Sequence, residues 1–236
     1  MKPDPDPLVA KLKAEVEKHR GRLAIIAGTG VSITACQDQE VDGHKVARWD
    51  GLLLHGVDYG ENVEHVLDAE EAEDLRRQIR RGKPDFLTAA AEIITSRLTG
   101  KLPGAFRRWL QESVGKLEPR APEILHALAG VPGVLATLNY DPLFEKALGR
   151  QPVTWADGDK AKLEDALRGA VPKAVLHLHG YYQVPESVVL GLRSYEKVAS
   201  DPHTRSVLQL FTIDRVLLFV GCRGTVTDAN FSRLVE

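Results

Sequence analysis

The sequence predicts an α/β fold built on a doubly wound parallel sheet. Two patterns carry the prediction: four short, continuous apolar runs that each end in small or polar residues, and helical periods between them. A length of 236 residues suits one large α/β domain or two small ones.

In chain order, Leu8 to His19 places Leu8, Val9, Leu12 and Val16 at helical spacing before a Gly21 stop. Leu23 to Ala27 (LAIIA) then reads as a strand buried on both faces. Val134 to Leu138, Ala174 to Leu178 and Val216 to Val220 repeat that pattern. Helices are expected over Asp85 to Leu98, Gly104 to Val114, Pro122 to Ala129, Pro142 to Leu148, Lys160 to Arg168 and His203 to Phe211. The stretch from Trp49 to Lys116 contains no strand-like run and is expected to be a helical insertion capping the ligand edge of the sheet. Within it, Asp68, Glu70, Glu71, Glu73 and Asp74 precede Arg76, Arg77, Arg80, Arg81 and Lys83. Acids first and bases last match a helix dipole, and a solvated helix is expected there, with a partner-binding face as the alternative. Residues 1–236 are expected to form one domain, the N-terminal part of a longer protein, because the final residues read as a helix broken off partway.

Composition narrows the function classes. Lys and Arg number 31 against 33 Asp and Glu, a net charge of −2, so no long basic footprint for nucleic acid is expected. At 43% hydrophobic and 27% charged residues, disordered and collagen-like classes are excluded. Cys36 and Cys222 stand far apart without a CxxC, which supports neither a disulfide framework nor a cysteine zinc site; a cytoplasmic location is expected. The first residues lack the apolar centre of a signal peptide, and no apolar run reaches the ~20 residues needed to span a membrane.

Ligands of open parallel sheets bind beyond the carboxyl ends of strands, and all four predicted strands end in chemistry. Gly28-Thr29-Gly30-Val31-Ser32 follows the first, a turn in which glycines allow close approach to a phosphate. Ile33 replaces the third glycine of the dinucleotide fingerprint, so an ordinary dehydrogenase is not supported. Ser32 suits a ribose contact or a helix cap. Asn139 and Asp141 follow the second strand, two apart, suited to binding hydroxyls or orienting a water; an Asx turn capping a helix from Pro142 is the alternative for Asp141. His177 and His179 share a face of the third strand. An HxH metal pair is one reading, but it lacks a complement of further ligands. The other makes His179 a general base or hydroxyl-orienting group and His177 a hydrogen-bonded core residue. Cys222, after the fourth strand, is expected to be a small, partly buried residue.

Taken together, these motifs resemble the sirtuin-type NAD-binding domain, specifically its zinc-lacking bacterial branch found in antiphage defence effectors such as those of Thoeris systems and short-Argonaute partners. Gly28-Thr29-Gly30-Val31-Ser32 resembles GAGxS, Thr137-Leu138-Asn139-Tyr140-Asp141 resembles TTNYD, and Leu178-His179-Gly180 resembles LHG. Phe219-Val220-Gly221 with Asp228 and Phe231 is similar to the family's closing segment, and Trp49-Asp50-Gly51-Leu52-Leu53 to a WxxLL stretch. The resemblance implies a Rossmann-like fold with NAD+ as substrate and no metal. It implies that Gly28, Thr29, Gly30 and Ser32 hold the pyrophosphate and ribose, that Asn139 binds the nicotinamide ribose or the attacking water, and that His179 is the catalytic histidine. Asp141 would support Asn139, and Gly221 with Asp228 would line the adenosine side. Ile33-Thr34-Ala35-Cys36 stands where deacylating sirtuins carry GIPDFR, and Tyr181-Tyr182-Gln183 where they continue toward a four-cysteine ribbon, so the acyl-lysine platform is not expected. The implied activity is NAD+ hydrolysis to nicotinamide and ADP-ribose. A deacylase or ADP-ribosyltransferase and a non-catalytic nucleotide-binding module are the alternatives. Control by homo-oligomerisation or by a defence-system partner or sensor domain is implied as well, with no nucleic acid or membrane bound directly and the helical insertion as candidate gate.

Overall fold

The computed structural model describes residues 6–100, 102–156, 160–168, 170–171, 173–202, 209 and 213–222. Five parallel strands form one sheet: β1 (Leu23–Ala27), β2 (Val134–Thr137), β3 (Gln151–Val153), β4 (Ala174–His177) and β5 (Val216–Val220), in the order β3-β4-β2-β1-β5. The architecture is the expected Rossmann-like α/β one.

Alternation along the strands feeds two cores, one on each face. Leu23, Ile25, Leu135 and Val175 pack with the insertion, while Ala24, Ile26, Ala136 and Leu176 pack on the other side with Leu163 and Ala166 of α9 (Lys160–Leu167). Every residue of β1, β2 and β4 is buried, as strands covered on both faces require. β5 departs from the expectation of two buried faces. Its residues are only half-buried, because it lies at the sheet edge and pairs with β1 alone among the described residues.

The strand missed by the sequence reading is β3, three residues long with Pro152 in it. A proline is compatible with an edge strand, and that is the place β3 occupies. α1 (Pro7–Lys18) is capped by Asp6, whose carboxylate accepts from the Leu8 amide at 2.9 Å. The expected helix over His203 to Phe211 lies for the most part outside the described residues, as do Asp228 and Phe231.

Between β1 and β2 run α2 (Thr29–Ala35), α3 (Trp49–Asn62), α4 (Ala69–Arg80), α5 (Pro84–Gly100), α6 (Ala105–Glu112) and α7 (Glu123–Ala129). The acidic-basic helix is α4, and Asp68 caps it through the Glu71 amide at 2.8 Å. It is not simply solvated: Ala72, Leu75 and Ile79 are buried, and Arg76 is ion-paired to Asp58 and Glu61 of α3. An amphipathic face beneath the charges docks it onto α3 and α5, in the core shared with one face of the sheet. α8 (Leu143–Leu148) follows β2, and α10 (Leu192–Ser200), also unforeseen, lies beyond β4.

Candidate functional site at the carboxyl edge of the sheet

Register builds the site. Ala27, Thr137 and His177 align across β1, β2 and β4. Two residues further on, Thr29, Asn139 and His179 all line one crevice, whose empty volume, open mouth included, is about 690 Å³. Its opposite wall comes from the segment entering α3 and from Val114, with Arg48, Trp49 and Leu52 facing the strand ends.

A directional hydrogen-bond chain fixes Asn139. The Ser32 hydroxyl donates to Asp141 Oδ2 at 2.6 Å, and the Asn139 amide nitrogen donates to Ser32 Oγ at 2.7 Å. Ser32 has one proton, so giving it to the carboxylate obliges it to accept from Asn139. Asp141 Oδ1 accepts the Leu143 amide at 3.1 Å. Asp141 therefore braces the start of the helix, as the Asx-turn alternative had it, and also holds Ser32. Burial pushes its carboxyl up, against the opposing pull of the Ser32 and Leu143 bonds. With both oxygens engaged, it is a support for Asn139 rather than a base presented to a ligand.

His179 is 5% exposed, and burial pushes its imidazole down to about 4, so it is neutral near pH 7. His177 is enclosed, with Nδ1 3.0 Å from the Asn139 carbonyl oxygen and Nε2 2.9 Å from Glu145 Oε1. Both ring nitrogens are engaged, which removes it from an HxH metal pair. Among the described residues no group of three or more His, Cys, Asp or Glu is arranged to hold a metal.

The glycines of the first turn meet protein. Gly28 and Gly30 donate their amides to the Val220 and Gly221 carbonyls, each at 2.9 Å. A Cβ on Gly28 would stand 2.6 Å from Cys222 Sγ, and one on Gly221, at φ +69°, 2.7 Å from the Val31 nitrogen. The turns after β1 and β5 interlock through these residues. Of the nominated positions, Thr29, Asn139, Asp141 and His179 line the crevice, whereas Gly28, Gly30, Ser32 and Gly221 support it from behind.

The wall is held by charge. Asp38 accepts Arg48 Nε and Nη2 at 2.8 and 2.7 Å and pairs with Lys45 at 2.8 Å, which holds its carboxyl down at about 2. His44 meets Asp58 at 2.7 Å, tying the loop before α3 to the α3–α4 ion pairs. Buried His55 accepts from Trp109 Nε1 at 3.1 Å on its Nδ1, so its proton is on Nε2, toward Asp42. Arg48 escaped the sequence reading; its one signal was its place directly before the WxxLL stretch.

Residues 133–236 match the SIR2-like domain family. The matched part, under half of the chain, begins just before β2 and contains Asn139, Asp141, His177, His179 and Gly221. It supports a sirtuin-like domain, of a kind whose chemistry is NAD-related. The SIR2-like match starts after the first turn and the insertion; their place at the site rests on the geometry above.

Proposed function

We propose that the chain hydrolyses NAD+ between nicotinamide and ribose, releasing nicotinamide and ADP-ribose, and that it acts as an NAD-depleting effector in bacterial antiphage defence. The observation carrying the hydrolase reading is the convergence of an anchored amide, Asn139, and a neutral buried imidazole, His179, in one crevice of a SIR2-like domain. The defence role rests on the resemblance of the motifs.

In the reaction the ribose C1′–N bond breaks, its electron pair passes to the pyridinium nitrogen, a water oxygen bonds C1′, and that water's proton ends in solvent. Nicotinamide departs neutral, so positioning and charge stabilisation matter more than a strong acid. Asn139 lines the crevice with its amide nitrogen held by Ser32, leaving Oδ1 to address a ribose hydroxyl or the water. Neutral His179 orients the same groups as a hydrogen-bonding imidazole rather than as a stored charge. Trp49, Leu52, Val114 and Leu138 supply the apolar lining that limits bulk water.

The test is nicotinamide and ADP-ribose release from NAD+ by the purified chain beside Asn139→Ala and His179→Ala. Release by the parent with losses of roughly 100-fold or more in both variants is expected. Dinucleotide that binds yet stays intact would replace this reading with that of a binding module.

A further inference from the structure

Asn139 is held by its main chain as well as by its amide. Its N–H donates to Thr137 Oγ1 at 3.1 Å, and that hydroxyl is 3.1 Å from the Ala27 carbonyl to which it donates. Its carbonyl accepts from His177. A carbonyl can only accept, so His177 Nδ1 carries a proton. On the other side Nε2 faces a carboxyl oxygen of Glu145, and a bond of 2.9 Å there requires one more proton between them. Whether that proton belongs to the imidazole or to the acid, the pair is electrically neutral.

The surroundings suit such a pair. The His177 side chain is 0% exposed and that of Glu145 12%, and the Tyr181 ring packs 4.7 Å from the imidazole. Among the described residues Glu145 Oε2 is buried with no hydrogen-bond partner, so the acid's one polar attachment there is His177. A lone charge in this place would be costly, and sharing one proton between the two partners avoids it.

We propose that His177 and Glu145 are positioning residues: Glu145 orients His177, and His177 holds the Asn139 carbonyl so that the amide stays on Ser32 and faces the crevice. The effect on turnover rests on the hydrolase reading; the effect on Asn139 does not.

Two substitutions separate the contacts. Asn places its amide nitrogen near imidazole Nδ1 and keeps the Asn139 bond, whereas Gln reaches the Nε2 position and keeps the Glu145 bond. His177→Gln is expected to lower kcat roughly 100-fold with KM little changed, the scale of a misplaced catalytic group. His177→Asn is expected to lose about fivefold, the scale of one hydrogen bond. In the ligand-free, 15N-asparagine-labelled protein, the Asn139 side-chain amide signal, assigned by its disappearance in Asn139→Ala, should shift in His177→Gln and stay near its parental position in His177→Asn. Equal kcat losses in the two variants, or an Asn139 signal unmoved in His177→Gln, would overturn the proposal, whatever the thermal midpoints. If the parent releases no nicotinamide, the NMR comparison decides alone, and the expected pattern there would count against the hydrolase reading only.

Discussion

The two walls of the crevice are held together by different physics. At the strand ends the links are few, short and wholly or partly buried: Asn139 to Ser32, Ser32 to Asp141, His177 to Asn139 and Glu145. On the insertion side they are mostly ion pairs nearer the surface: Asp38 with Lys45 and Arg48, Asp58 with Arg76, Glu64 with Arg108, Glu71 with Arg97. Buried bonds have no water to substitute for a missing partner, so each loss is felt in full. Exposed pairs are weak singly and screened by salt, so the wall tolerates losses and responds to its medium. The proposed chemistry lies on the unforgiving wall, and adjustability on the other.

Three measurements would break or sharpen that contrast. The largest effect is expected from Ser32→Ala, which removes the relay between Asn139 and Asp141. A fall in turnover of roughly 100-fold, with a stability loss of about 2 kcal/mol in denaturant unfolding, follows from an unanchored amide and a buried carboxyl deprived of a donor. Retention of parental turnover would show that the chain does not position Asn139.

Next comes acid. His179 has its folded pKa lowered to about 4 from 6.5, so the stability it contributes is present above 6.5 and is lost as pH falls through 4. The shift corresponds to about 3 kcal/mol. Asp141, whose folded pKa is raised, works in the opposite sense: its contribution is full below the unfolded value and is lost as pH rises through the folded one. Comparing the parent with His179→Gln at pH 7 and pH 4 cancels the Asp141 contribution, and the stability gap between the two proteins should shrink on acidification. A gap independent of pH would mean that His179 is not held neutral.

The smallest effect is expected on the insertion side. Asp38, held at about 2, gives stability present above 3.8 and lost as pH falls through 2. Because its ion pairs are partly solvated, Asp38→Asn should cost about 1 kcal/mol in low salt and less in high salt. An equal cost in both would place this clamp in the same class as the buried wall.

Much of the sheet was legible because its central strands are buried on both faces and therefore read as unbroken apolar runs. β3 was not, since three residues with a proline carry no periodicity, and α10 follows a loop whose apolar residues, Val188 to Leu190, show no helical spacing. At the site, Asn139 and His179 could be nominated because each lies just past a strand end, and the register places them side by side. Ser32 was nominated for a ribose contact or a helix cap; its bond to Asp141, 109 positions away, is a pairing no local spacing reveals. Arg48 was invisible for the same kind of reason: a loop residue becomes part of a wall only through what Asp38 does to it.

The interlock of Gly28 and Gly30 with Val220 and Gly221 also bears on how the protein is made. The first turn of the site leaves the ribosome long before the residues near position 220, yet the carbonyls and glycine surface that shape it come from those later residues. β1 likewise receives one of its two neighbours only when β5 arrives. Long-range pairing of this kind forms late, after the intervening chain has closed. A nascent or prematurely terminated chain that stops short of β5 therefore lacks the partner against which the first turn of the crevice is shaped.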